Sequence, residues 1–188
     1  MANLFYIIGG SGAGKDSLID YLQKHLPEKA PIKIVQRYIT RPEDAGGENH
    51  ISLSEKEFLN MKELDCFCMD WFSHDTYYGI GTEVKNWMYA GYSVIVNGSR
   101  GYLQDAIKIF PNIVPVLISV DPVILSERLF SRGRENYNEI QKRVAQAIRL
   151  DRNISHANLQ IIDNNGSLED SGENLIRLIK NNIQFKCA

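Results

Sequence analysis

Hydrophobic and polar positions follow two different periods along this chain. Short, continuously apolar runs have the length and β-branched content of buried strands; they occupy residues 4–9, 92–98, 113–120 and 158–163. Between these runs, apolar residues recur at helical spacing, as at Leu18, Leu22 and Leu26. Strands that alternate with helices predict an α/β fold, with a central, mostly parallel sheet covered on both faces.

Capping residues predict where several helices begin. Ser54 and Glu57 have the spacing of a capping box at the start of a helix over 53–61. Asp121 precedes a proline at the start of another helix, and Ser167 caps the last one. Further helices are predicted over 17–26, 82–89 and 138–150. Residues 31–40 and 66–73 are predicted to be strands, and residues 77–81 a loop.

A glycine-rich loop joins the first strand to the first helix. Its sequence, GGSGAGK at 9–15, has the spacing of a phosphate-binding loop. In such loops the backbone N–H groups and the helix N-terminus surround an anion, and the lysine reaches the terminal phosphates. A tight turn without a ligand is the alternative, but it requires neither four glycines nor Lys15.

Asp16 occupies the position where this motif normally has the serine or threonine that binds magnesium. One interpretation is a carboxylate that stabilises the first helical turn by about 0.3–1 kcal/mol. The other is that Asp16 binds Mg²⁺ directly or through water, because hard cations prefer carboxylate and phosphate oxygens. Ser17 would then donate its hydroxyl to a phosphate. The sequence leaves both interpretations open.

Six arginines lie between Arg128 and Arg152. Arg132 and Arg134 flank a glycine between two predicted helices, and Arg143 lies on the second helix. A lid over about residues 131–140 would suit phosphoryl transfer, which needs positive charge around the transferred group and exclusion of water. The alternative is a solvated helix face, which is our interpretation of Arg149 and Arg152.

Polar residues expected on the acceptor side come from segments 37–42, 76–81 and 97–101. Arg37 and Arg41 are suited to bidentate phosphate recognition. Further hydroxyls, an amide and a guanidinium come from Thr40, Tyr78, Asn97, Ser99 and Arg100. Tyr77 and Tyr78 are alternatively core aromatics, and Arg100 a helix-face residue. For Glu48 and His50, substrate contact and a solvated loop both remain open.

Composition narrows the class of protein. A length of 188 residues predicts a single domain, 1–188. The net charge of −2 gives no footprint for nucleic acid or an anionic membrane, and no apolar run approaches the roughly 18 residues of a membrane span. Three cysteines without framework spacing predict free thiols and a cytoplasmic location. The oligomeric state is open.

The pattern resembles the nucleoside monophosphate kinases, especially the guanylate kinases, over nearly the whole chain. The similarity rests on GGSGAGK at 9–15, TR at 40–41, YYG at 77–79 and RGRENYNEIQKRVAQA at 132–147. The chain departs from guanylate kinases in two places. The stretch after Arg41 is shorter and has no second arginine, and NGSR at 97–100 replaces an expected acidic residue. Both departures argue against binding of a purine base.

The stretches GKDSL, RYITR, GENHISLSE, YYGIG, VNGSR and RGREN are together similar to the ribose 1,5-bisphosphate phosphokinases of bacterial phosphonate breakdown. This resemblance implies a three-layer P-loop kinase fold with an acceptor-binding insert over about 33–92, and it implies ATP and Mg²⁺. The implied reaction phosphorylates ribose 1,5-bisphosphate to 5-phosphoribosyl 1-diphosphate. A guanylate-type kinase and a non-catalytic protein-binding module are the alternatives.

The resemblance also assigns roles to residues. ATP would be held by Gly9, Gly10, Ser11, Gly12, Ala13, Gly14, Lys15, Asp16 and Ser17, with residues 163–166 bordering the adenine. Catalytic positive charge would come from Lys15, Arg132, Arg134 and Arg143. The sugar substrate would be bound by Arg37, Thr40, Arg41, Tyr78, Asn97, Ser99 and Arg100.

Overall fold

A five-stranded parallel sheet forms the centre of the protein; the computed structural model describes residues 2–42, 48–133 and 135–183. The strand order is β2-β7-β1-β8-β9. Their bounds are β1 Leu4–Ile8, β2 Ile32–Ile34, β7 Ser93–Asn97, β8 Ile113–Ser119 and β9 Gln160–Asp163. Every pairing is parallel, so the carboxyl ends of β1, β7 and β8 meet at one edge.

Both faces of this sheet are buried. Leu4, Tyr6 and Ile8 point into one core, whereas Phe5 and Ile7 point into the other, because successive side chains of a strand face opposite sides. Burial on both sides explains why β1 is a continuous apolar run. The predicted α/β fold with a mostly parallel central sheet is confirmed.

The described residues form seven helices: α1 Lys15–His25, α2 Glu55–Glu63, α3 Glu83–Tyr89, α4 Leu103–Ile109, α5 Pro122–Ser131, α6 Tyr137–Arg152 and α7 Leu168–Asn182. Three of them begin where capping residues predicted. Ser54 and Glu57 form the capping box of α2. Asp121 and Ser167 accept backbone N–H bonds at the starts of α5 and α7. Helix α4 was not predicted. None of the helices in the described ranges is long and apolar enough to span a membrane.

A second sheet lies between β2 and β7 in the chain, with strand order β4-β3-β6-β5. Its strands are β3 Tyr38–Ile39, β4 Ile51–Ser52, β5 Phe67–Ser73 and β6 Thr76–Gly81. The prediction of a single strand over 31–40 is wrong, because β2 and β3 belong to different sheets.

The predicted loop at 77–81 is also wrong, since these residues belong to β6. The two glycines there suggested a loop, but Gly79 serves close packing. A Cβ on Gly79 would lie 2.8 Å from the ring of Phe67 on the neighbouring strand. A glycine in a strand often marks such a close approach.

Candidate active site

The loop between β1 and α1 needs its glycines for steric reasons. A Cβ on Gly9 would lie 2.8 Å from the carbonyl oxygen of Ile118 on β8. Gly12 and Gly14 have φ values of +87° and +88°, a conformation that residues with a side chain rarely adopt. The loop therefore takes a curled form that the glycine pattern predicted.

The N-terminus of α1 is left open by this loop. Gly14 is the N-cap residue, and no side chain of the described residues caps the helix. The unpaired N–H groups of the first turn are thus available to an anion. The ammonium of Lys15 lies across the loop and donates to the carbonyl oxygens of Gly9 and Gly10 at 3.2 and 3.3 Å.

Burial lowers the pKa of Lys15 to about 8, against the opposing effect of the neighbouring Asp16 carboxylate. The positive charges of Arg37 and Arg100 lower this pKa further, and Glu48 raises it. These charges come from segments far apart in sequence. Their influence on one ammonium indicates that the fold brings residues predicted for the nucleotide and residues predicted for the acceptor into one region.

Two residues support the backbone of the loop at 9–15, which we call the phosphate loop after its motif. Sequence reasoning gave neither of them this role. Asn164 is 4% exposed and donates through Nδ2 to the carbonyl oxygen of Ala13 at 2.7 Å. Arg128 donates to the carbonyl oxygen of Asn164 at 2.8 Å. Asn164 belongs to the segment expected near the adenine; its side chain contacts the loop backbone. Two features of the sequence could have identified these residues. Arg128 is the first arginine of the cluster at 128–152, and Asn164 is a polar residue directly after the last strand.

Asn97, at the carboxyl end of β7, joins the two sides of the site. Its Nδ2 donates to Asp16 Oδ1 at 2.8 Å and to Glu48 Oε2 at 3.3 Å. Glu48 in turn pairs with Arg37, whose Nε donates to the same Oε2 at 2.8 Å and whose Nη2 donates to Oε1. Glu48 is therefore part of a largely buried ion pair and not a solvated loop residue.

Aromatic rings surround Arg37. Its guanidinium lies 4.9 Å from the ring centroid of Tyr78 and 6.0 Å from that of Trp71. Trp71 stacks on Tyr78 at 5.4 Å with an interplanar angle of 6°, and on Tyr102 at 5.5 Å. Tyr78 is thus both a packed aromatic and a neighbour of Arg37. Sequence reasoning missed Trp71, which occurs in an apolar strand with no motif around it.

Thr40 and Arg41 border an open cavity of about 730 Å³ together with Ser52, Phe72 and Tyr77. Thr40 Oγ1 accepts from the backbone N–H of Tyr77 at 2.9 Å. Arg41 Nε is buried and has no hydrogen-bond partner among the described residues.

His50 is buried, with 2% exposure, which rules out a solvated loop residue. Its ring nitrogens lie 3.0 Å from the carbonyl oxygens of Glu48 and Arg41. His50 therefore connects the chain on the two sides of residues 43–47.

The NGSR segment is fixed by Tyr6 of β1. Its phenol donates to the carbonyl oxygen of Ser99 at 3.3 Å and accepts from the Ser99 N–H at 3.0 Å. Burial raises the pKa of Tyr6, so the phenol remains a donor.

Arg100 is not a solvated helix-face residue. It donates to Asp151 Oδ1 at 2.6 Å and to the Ala147 carbonyl oxygen at 3.1 Å, both on α6. A Cβ on Gly10 would lie 3.9 Å from Arg100 Nη2, so its guanidinium borders the phosphate loop.

Of the predicted lid arginines, Arg143 reaches the phosphate loop. Its Nη1 donates to Ser11 Oγ at 3.2 Å and lies 3.0 Å from Glu135 Oε1. Arg132 is exposed at the end of α5, and Arg134 lies outside the described residues. Arg149 and Arg152 are exposed on α6, as interpreted from the sequence.

Comparison with known proteins first identifies the family to which the chain belongs. The family model described as "Guanylate kinase" matches residues 1–182, so the chain belongs to the guanylate kinase family. A solved guanylate kinase from Anaplasma phagocytophilum superimposes with a TM-score of 0.68, covering 99% of this chain and 88% of that one. Their sequence identity is 13%, so this similarity shows the fold alone.

Similar proteins with assigned names then identify a group within this family. The chain is 47% identical to "Ribose 1,5-bisphosphate phosphokinase PhnN" of Psychromonas ingrahamii, over 95% of this chain and 90% of the relative. It is 46% identical to the protein of the same name from Desulfomicrobium baculatum, over 95% of both chains. Within the guanylate kinase family, the chain belongs with the ribose 1,5-bisphosphate phosphokinases, which confirms the resemblance inferred from its motifs.

Proposed function

We propose that this protein is a ribose 1,5-bisphosphate phosphokinase. It transfers the γ-phosphoryl group of ATP to ribose 1,5-bisphosphate and forms 5-phospho-α-D-ribose 1-diphosphate and ADP. The observation that carries this proposal is the 46–47% identity to relatives of that name, over at least nine-tenths of both chains. The reaction would serve phosphonate breakdown, and the free thiols of Cys66 and Cys68 suit a cytoplasmic enzyme.

The transfer itself needs little covalent chemistry from the protein. An oxygen of the 1-phosphate bonds to the γ-phosphorus, while the bond from that phosphorus to the β–γ bridging oxygen breaks and ADP leaves. The attacking oxygen is already anionic, so no general base has to remove a proton. The protein must hold both substrates in line and neutralise the charge that spreads over the transferred group.

Residues 9–17 and the uncapped start of α1 bind the ATP phosphates, and Lys15 lies at the β- and γ-phosphates. Lid residues Arg132, Arg134 and Arg143 supply charge around the transferred group. The contact from Arg143 to Ser11 supports this arrangement, because it brings α6 to the phosphate loop. We also propose that residues 1–188 form a single domain, with an acceptor insert over about 33–92 and a lid over about 131–140.

Mg²⁺ is the cofactor expected for such a kinase, and the residues present suit it. Asp16 lies at the first turn of α1 beside Lys15, where a cation bound to phosphates would meet a carboxylate oxygen. When bound, the ion neutralises phosphate charge. Asp16 is held by Asn97 at 2.8 Å, so its carboxylate is oriented as well as charged.

On the acceptor side, we propose that the sugar bisphosphate contacts Arg37, Thr40, Arg41, Tyr78, Asn97, Ser99 and Arg100. Three of these residues lie near the phosphate loop, which supports the proposal. Arg100 borders Gly10, and Asn97 joins Asp16 to Glu48, the partner of Arg37. Trp71 and Tyr78 are stacked on each other and covered by Arg37.

A direct substrate panel tests the proposal. Ribose 1,5-bisphosphate, GMP, AMP and dTMP are each offered with ATP and Mg²⁺, and ADP and the phosphorylated product are quantified. We expect turnover of the bisphosphate and little of the nucleotides. Lys15→Ala should abolish turnover, which separates an enzyme from a binding module. Robust turnover of GMP with none of the bisphosphate would reject the proposal in favour of a guanylate-type kinase.

A further inference from the structure

The side-chain oxygen of Asn97 is a buried acceptor that lacks a hydrogen bond. Asn97 is 4% exposed, and its Oδ1 has no partner among the described residues. Leaving a buried polar atom unpaired destabilises a protein. Such an atom next to a phosphate loop points to a partner that the protein chain does not itself provide.

The orientation of the amide is determined by its neighbours. Asn97 Nδ2 lies within hydrogen-bond distance of Asp16 Oδ1 and Glu48 Oε2. Ionised carboxylates only accept hydrogen bonds. Turning the amide over would place its oxygen against two negative groups and lose both bonds. The donor therefore faces the carboxylates, and Oδ1 points away from them.

The position of Asn97 relates this oxygen to the substrates. Asn97 ends β7 and pairs with Ile7 of β1, the strand that leads into the phosphate loop. Its two partners lie on opposite sides of the site: Asp16 on α1, and Glu48 paired with Arg37. The amide thus lies between the region assigned to the nucleotide and the region assigned to the acceptor.

The chemistry of an amide oxygen restricts what can bind to it. Phosphate oxygens are acceptors and are repelled. A Mg²⁺ ion held by Asp16 Oδ1 would meet the amide N–H group, because that group, and not the oxygen, faces Asp16. A hydroxyl donates. The acceptor sugar has two free hydroxyls, at C2 and C3, because O1 and O5 carry its phosphates.

Resting on the proposed function, we propose that Asn97 Oδ1 accepts a hydrogen bond from a ring hydroxyl of ribose 1,5-bisphosphate. Asn97 is then a specificity-determining residue, which distinguishes ribose from deoxyribose bisphosphates. An analogue without that hydroxyl would leave the buried oxygen unpaired again. A site built to bind a hydroxyl rejects such analogues strongly for this reason.

The test compares kcat/KM for ribose 1,5-bisphosphate with that for its 2-deoxy and 3-deoxy analogues. Wild-type protein should prefer ribose over at least one analogue by about 10- to 100-fold, the range expected for one buried hydrogen bond. In Asn97→Leu, which has a similar volume and no polar atoms, that preference should fall to about 1. Both values come from one preparation, so partial misfolding cancels from the ratio; Asn97→Ser provides a second variant.

Asn164→Leu is the matched control, because Asn164 is equally buried but bonds to the loop backbone. It should lower turnover of all sugars alike and keep the preference. Retention of the preference in both Asn97 variants, or equal use of ribose and both analogues by the wild type, overturns the inference. A weakened Mg²⁺ dependence with the preference intact overturns it in favour of a metal ligand. No wild-type turnover of ribose 1,5-bisphosphate instead rejects the proposed function.

Discussion

At the scale of single residues, three arginines near the phosphate loop are paired with carboxylates. Arg37 pairs with Glu48, Arg100 with Asp151 and Arg143 with Glu135. Such pairing lowers the cost of holding a guanidinium out of water. Lys15 differs, since its ammonium donates to two backbone carbonyl groups. Burial lowers the pKa of this ammonium, so its charge depends on the pH.

The affinity for Mg·ADP should consequently fall as the pH rises above about 8, the pKa of Lys15 in the free protein. A lysine whose pKa is lowered is an ammonium below that pH and loses its proton above it, and the phosphates bind the ammonium. The dissociation constant of Mg·ADP, measured by calorimetry from pH 7 to 9.5, checks this. Lys15→Arg keeps its charge over this range, so an equal loss of affinity in that variant would contradict the assignment.

Gly98→Ala should destabilise the protein strongly. Its Cβ would lie 2.3–2.5 Å from the ring of Tyr6, which is fully buried. A rigid ring in a packed sheet cannot move aside cheaply, so we expect a loss of about 1–3 kcal/mol, typical of overpacking. Gly101→Ala is the matched control, because its nearest contact would be Ser99 Oγ at 3.7 Å. Urea unfolding of both variants makes the comparison, and equal stability of the two would contradict it.

At the scale of elements, local sequence patterns predicted the features that local interactions determine, such as helix starts and the glycine loop. Ser54 with Glu57, and Asp121 with the following proline, fixed helix starts that the structure confirms. The glycine loop and its lysine were recognisable because the motif is contiguous. Contacts between distant segments were not recognisable from the sequence. Asn97 bonds to Asp16, 81 positions away, and Asn164 bonds to Ala13, 151 positions away. Only the arrangement of the strands brings these partners together.

Helix α6 places two arginines in different environments, which allows a prediction for the element. Arg143 bonds to Ser11, whereas Arg149 is exposed on the same helix. Arg143→Ala should lower kcat by about 10²–10³, by analogy with loss of one electrostatic donor, while Arg149→Ala should change it little. Steady-state kinetics with saturating ribose 1,5-bisphosphate measures both. A similar loss in the two variants would indicate a general effect of helix charge and contradict a lid role for Arg143.

At the scale of the whole molecule, the residues proposed to bind the two substrates come from both sheets. The phosphate loop leaves β1 of the parallel sheet, whereas Trp71 and Tyr78 lie on β5 and β6 of the second sheet and Arg37 directly precedes β3. Asn97 is the link between them, through Asp16 and Glu48. Each half therefore has its own proposed ligand contacts, while one amide bonds to both carboxylates. Each substrate should therefore be able to bind without the other, while the binding of both should depend on Asn97.

Thermal unfolding tests this two-sided arrangement. A ligand at 100 times its Kd stabilises the folded state by about 2.7 kcal/mol, which corresponds to about 5–10 °C in Tm for a chain of this size. Mg·ADP and ribose 1,5-bisphosphate should each raise Tm, and together they should raise it further. Lys15→Ala should lose the shift caused by Mg·ADP and keep that caused by the sugar. Loss of both shifts in Lys15→Ala would mean that the two ligands share one set of contacts, because a variant damaged only at the nucleotide loop retains an intact second sheet.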